Sequence, residues 1–81
     1  MSKKNEKLPQ DQLIDQLSEE LPPIWERPQT THLTGGAVNS RTLANQMSQG
    51  EGPSGTYKFG RKVIITREPF LEWLRPRIEP N

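Results

Sequence analysis

Breakers of regular structure cut this chain into short pieces, and that punctuation limits its fold more than any other feature. Pro22-Pro23, Gly35-Gly36, the stretch from Gly50 to Gly55, Gly60, Pro76 and Pro80 interrupt its 81 residues. Proline lacks the N–H that a helix interior needs, and glycine supplies the positive φ of tight turns, so only short helices and strands fit between them. No internal repeat relates the pieces. A chain this short buries only about 60 % of the surface its unfolded form exposes, which allows one small domain and no second. The core must be small as well, because 30 % of the residues are apolar, against about 45–50 % in an ordinary domain.

The sequence has no cysteine, which excludes disulfides, thiolate metal sites and thiol catalysis and fits a reducing compartment. Its longest apolar run, Val63-Ile64-Ile65, is far short of the ~18 residues of a bilayer span, and Met1-Ser2-Lys3-Lys4 leads into polar residues rather than a signal peptide's apolar stretch. The expectation is a soluble, cytoplasmic protein.

The net charge of +1 conceals a division at Glu26. Residues 1–26 carry three lysines against six carboxylates, whereas residues 27–81 carry eight Lys and Arg against four carboxylates. A basic part behind an acidic segment suggests a nucleic-acid face, since Lys and Arg gain affinity by displacing counterions from phosphates. A solvated surface of mixed charge accounts for the same numbers.

Met1 to Lys7 is polar and aperiodic, and residues 1–8 are expected to form a disordered tail. Over residues 9–21 the apolar Leu13, Ile14, Leu17 and Leu21 follow a 3.6-residue period, which predicts an amphipathic helix ended by Pro22-Pro23. Its stripe can cap the domain's own core, make a dimer contact, or fold on meeting a partner. Residues 24–75 are expected to form the main domain and residues 76–81 a flexible tail.

Within that domain a short helix is predicted over Pro28 to Leu33, with proline in the first turn, where its missing N–H is harmless. Gly35-Gly36 makes a turn, and Asn39 is a good N-cap for a second helix whose Val38, Leu43 and Met47 point inward. This is a helix-turn-helix pattern, and its second helix presents Ser40, Arg41, Thr42, Asn45 and Gln46 outward. Beyond the Gly50–Gly55 loop, Tyr57-Lys58-Phe59 and Lys62 to Ile65 predict a hairpin around Gly60-Arg61. Glycine at the first turn position suits a type II′ turn. Lys58, Arg61 and Lys62 are expected to converge at its tip. Thr66 then caps a last helix, Arg67 to Leu74, whose Phe70, Leu71, Trp73 and Leu74 close the core. The fold class expected is mainly α with a small β-hairpin, a winged helix-turn-helix.

Catalysis finds little support, because a site needs a nucleophile or an acid/base pair with orienting partners. His32 is the sole histidine and reads as structural or superficial. With no cysteine and no second histidine, the scattered carboxylates make no metal set. The Gly50–Gly55 segment lacks the G-x-x-x-x-G-K-[ST] spacing of a phosphate loop and reads as a connection. Trp25 and Trp73 read as core rather than as base-stacking platforms. No catalytic residue, metal or cofactor is expected, and an enzyme is not.

The sharper constellation joins the exposed face of the Asn39 helix to the hairpin. A helix of about 10 Å diameter fits the major groove, and a hairpin beside it can lay cations along phosphates or into the minor groove. The candidate DNA-binding residues are Asn39, Ser40, Arg41, Thr42, Asn45, Gln46, Lys58, Arg61 and Lys62. Of these, Arg41, Asn45 and Gln46 would read sequence, and the hairpin cations would position the protein.

From Trp25 to Leu74, about fifty residues, the chain resembles the small MerR-like winged-helix proteins of the excisionase and AlpA-type regulator group. Three blocks in order carry the likeness: Gly36-Ala37-Val38-Asn39-Ser40-Arg41-Thr42-Leu43, Lys58-Phe59-Gly60-Arg61-Lys62-Val63 and Leu71-Glu72-Trp73-Leu74. The chain departs from that group in a Thr-rich first helix and a longer Gly50–Gly55 loop. The resemblance implies a second helix that enters the major groove, a hairpin that acts as the wing, and a DNA-binding regulator or recombination factor of a phage or mobile element.

The function expected is therefore sequence-specific double-stranded DNA binding. The partners are duplex DNA together with a second copy, as a dimer or cooperative array, or a recombinase; neither a membrane nor a small-molecule substrate is expected. The alternative is a protein-interaction adaptor or inhibitor that uses the Leu13/Ile14/Leu17/Leu21 helix as its contact surface.

Overall fold

The computed structural model describes residues 9–79, so the tail expected over 1–8 lies outside the described residues. Helix α1 (Pro9–Glu20) forms where periodicity places it. Leu17 and Leu21 are buried and Ile14 packs against the same core, so the stripe caps the chain's own domain. Leu13, at the margin of that stripe, stays 39 % exposed. The helix lies against α4 and the 3-10 turn after it, and Asp11 pairs with Arg75. Beyond α1, the Arg67 backbone N–H and its Nη1 donate to Pro23 O (2.9 Å) and Leu21 O (3.1 Å), steering the chain into the sheet.

One strand was not anticipated. β1 (Ile24–Glu26) pairs antiparallel with β3 in the register Ile24↔Thr66, Trp25↔Ile65 and Glu26↔Ile64, giving a three-stranded sheet of order β1-β3-β2 rather than a bare hairpin. The four residues between Pro22-Pro23 and Pro28 are too few to display alternation, and the strand's partner lies some forty positions away, so tertiary pairing alone defines it. After it, a 3-10 turn (Arg27–Gln29) feeds the short helix α2 (Thr30–Leu33).

Gly35 and Gly36 take φ of +64° and +88° in the turn that follows, and Asn39 opens α3 (Ser40–Ser48) by accepting from the Arg41 N–H at 2.8 Å. Val38 and Leu43 are buried, and Met47 packs on the core, as their spacing predicts. The hairpin is β2 (Tyr57–Phe59) and β3 (Lys62–Thr66), closed by Gly60-Arg61. Gly60 has φ +64° and, among the described residues, no residue other than glycine has positive φ, Arg61 included, the signs of a type II′ turn.

Helix α4 (Arg67–Leu74) buries Phe70, Leu71 and Leu74. Thr66 occupies its N-cap position, but its side chain accepts no cap hydrogen bond; its hydroxyl donates to Gly55 O at 2.7 Å and ties the loop down. Trp25 is buried edge-on to Phe70, with centroids 5.2 Å apart, while Trp73 is half-buried and donates to Glu51 O at 2.7 Å. Of the tail expected over 76–81, residues 80–81 lie outside the described residues; before them Arg75–Arg77 form a 3-10 turn, Arg77 lies over the Trp73 ring at 4.5 Å, and Ile78 packs on the core. Among the described residues the result is a mainly helical domain of four α-helices and one antiparallel sheet. No described helix is long and apolar enough to cross a membrane.

Candidate nucleic-acid interface

Helix α3 has two sides set by its 100° step. Leu43 and Met47 take the core side, which turns Arg41, Thr42 and Asn45 into solvent and leaves Ser40 and Gln46 half-buried at the margins. Asn39 is exposed, but its Oδ1 is committed to the helix cap. Gln49, one turn beyond Asn45 and equally exposed, joins the same face. Gln49 is not among the candidates, which end at Gln46, although the i, i+4, i+8 spacing of Arg41, Asn45 and Gln49 points to it.

The threonines of the first helix hold this face in place. Thr30, fully buried, accepts from Trp25 Nε1 at 2.8 Å. Thr34 donates to Thr30 O at 2.8 Å and accepts from the Val38 N–H at 3.0 Å, while Thr31 accepts from the Ser40 N–H at 2.8 Å. A chain of hydrogen bonds therefore runs from the sheet through α2 to the first turn of α3. Apolar residues there could fill space but could not satisfy the backbone donors of the turn.

The hairpin cations are all exposed, but they do not share one face. Register sets Lys58 opposite Val63, on the side that carries Ile65 and Trp25 and on which the helices pack. Lys62 stands opposite Phe59 on the outer side, where its ammonium meets Glu26 at 3.3 Å. The convergence expected at the tip thus holds for chain position and not for direction, since neighbouring positions on a strand alternate sides. Arg61 occupies the turn itself.

Electrostatically the two elements are alike. Neither Asn39 to Gln49 nor Tyr57 to Thr66 contains an Asp or Glu. Among the described residues Arg41, Lys58 and Arg61 make no ion pair. The Lys62–Glu26 pair is exposed on both sides and is worth about 0–1 kcal/mol, so a phosphate can replace the carboxylate. His32 is exposed, and no described group of three or more His, Asp or Glu residues could hold a metal ion. Shallow grooves lie along α1 and between α1 and α4, away from α3 and the hairpin; the second is lined by Ile14, Ser18, Glu68 and Leu71 among others. Comparison with known proteins finds no matching family model, no matching curated protein and no matching solved structure.

Proposed function

We propose that this chain is a non-enzymatic, cytoplasmic, sequence-specific binder of double-stranded DNA, a winged helix-turn-helix regulator or excisionase-like recombination factor. One observation carries the reading: a carboxylate-free polar helix face, braced by threonines, lies in the same small domain as a carboxylate-free hairpin whose Lys58 and Arg61 make no ion pair among the described residues. The order helix, strand, helix, turn, helix, hairpin supports it, and β1 adds a third strand that braces the hairpin.

In this reading Arg41, Asn45 and Gln46 reach base edges in the major groove, with Thr42 and Ser40 beside them. Lys58, Arg61 and Lys62 take phosphates or the adjacent minor groove. A single module of this size offers about 600–1,000 Å² of interface, so a second copy on a neighbouring site raises affinity to a useful level. Leu17 and Leu21, which an adaptor would present to a partner, are buried in this chain's own core.

Salt titration tests the class of partner. Three phosphate contacts give a slope of about −3 in log affinity against log salt for random duplex. Affinity for duplex that is absent at low salt, or that ignores salt, overturns the reading.

A further inference from the structure

On the outer side of the sheet, away from the helices, the duplex interface takes only the ammonium of Lys62 and leaves the rest of the face open. Tyr57 and Phe59 stand there two positions apart on β2, 64 % and 77 % exposed, in a chain whose aromatic content is 6 %. Successive same-side positions on a strand are about 7 Å apart, which leaves room for one planar base on each ring. Lys62 is the direct cross-strand neighbour of Phe59, Arg61 forms the turn beside it, and Ile64 lies opposite Tyr57. Rings flanked by cations are the pairing that unpaired bases and their phosphates require, and the hairpin contributes no carboxylate to repel them. The rings of Trp25 and Trp73, by contrast, are committed to the core.

We infer that this outer sheet face is a second binding site, for single-stranded DNA, with Tyr57 and Phe59 each stacking one base and Lys62 and Arg61 holding the intervening phosphates. The choice of DNA as the source of unpaired bases rests on the function proposed above; the stacking geometry does not. Duplex held at α3 lies on the helices' side of the sheet, so the two sites share the cations Lys62 and Arg61 but are separable by mutation of Tyr57 and Phe59 on one side and of Arg41 on the other. Lys62 must exchange Glu26 for phosphate, which an exposed pair permits.

The test titrates the full chain with fluorescent twelve-nucleotide oligothymidine, oligouridine of equal length, and random duplex, reading anisotropy and Phe59 and Tyr57 ring proton shifts. The expected result is oligothymidine binding with upfield ring shifts, weakened at least tenfold in Tyr57→Ala/Phe59→Ala, while duplex affinity stays within about twofold. Arg41→Ala shows the converse. Because the two residues are exposed, a circular dichroism melt of the double variant matches the wild type. Unchanged oligothymidine affinity in the double variant overturns the site, as does equal loss on duplex and single strand, or tighter binding of oligouridine. A sedimentation shift from dimer to monomer in the double variant, with oligothymidine binding unchanged, assigns the face to a second copy instead. Oligothymidine binding without any duplex binding overturns the duplex function and leaves the stacking site standing.

Discussion

The backbone N–H of Ser40 donates to the Thr31 hydroxyl at 2.8 Å, and this bond fixes the first turn of α3 to α2. It is one of three threonine contacts that replace apolar packing in the turn, and it lies one residue before Arg41. Thr31→Val removes the acceptor while keeping the shape. We expect a loss of about 1 kcal/mol in chemical denaturation, with Thr31→Ser close to wild type. A Thr31→Val variant as stable as the wild type would mean that the Thr34 contacts and Gly35-Gly36 hold the turn without it.

The deeper contact is Trp25 Nε1 to Thr30 Oγ1, buried at both ends. Thr30→Val strands the indole N–H away from water, at a cost of about 1–3 kcal/mol. Urea denaturation measures it, and a change below about 0.5 kcal/mol contradicts the assigned geometry.

Two glycines separate backbone strain from steric crowding. Gly35 has φ +64° with open space around a Cβ, whereas at Gly55, φ +67°, a Cβ would stand 2.6 Å from Pro69 Cγ. Gly35→Ala should cost about 1–2 kcal/mol and Gly55→Ala about 2–4 kcal/mol, since only the second adds overpacking to the left-handed backbone. Thermal melts of the pair check the order.

Helix α1 belongs to the domain in proportion to its buried side. Leu17→Ala should cost about 2–4 kcal/mol, and Leu13→Ala, at an exposed position, under about 0.5 kcal/mol. Equal effects at the two positions would place α1 outside the core.

The Lys62–Glu26 pair yields a prediction with a sign. Glu26→Gln frees the ammonium and should raise duplex affinity about two- to threefold for every sequence at low salt, an effect lost at high salt. Lys62→Ala should weaken all sequences and reduce the salt slope by about 1. Opposite signs, or sequence-dependent effects, would remove Lys62 from the phosphate contacts.

What could be read from the chain was local chemistry. Asn39 as a cap, Gly60 at the first turn position, and the inward set Val38, Leu43 and Met47 depend only on neighbours a few residues away, and each stands where spacing put it. β1 was hidden because a three-residue strand acquires its identity from Ile64, Ile65 and Thr66, far along the chain. Thr66 offered an N-cap hydroxyl, yet in the fold that hydroxyl is turned to donate to Gly55 O, a partner brought near by the path of the loop. The opposite directions of Lys58 and Lys62 were within reach: once Gly60-Arg61 closes the hairpin, a period of two decides the sides. The same step places Tyr57 and Phe59 together on the outer side.

Backbone amide shifts of isotope-labelled protein, followed while a pool of random-sequence duplexes is added at low salt, test the central claim most directly. Duplex binding through α3 and the hairpin predicts shifts concentrated on Ser40 to Gln49 and Lys58 to Lys62, with α1 silent. No shift on either element, or shifts confined to α1, would contradict it.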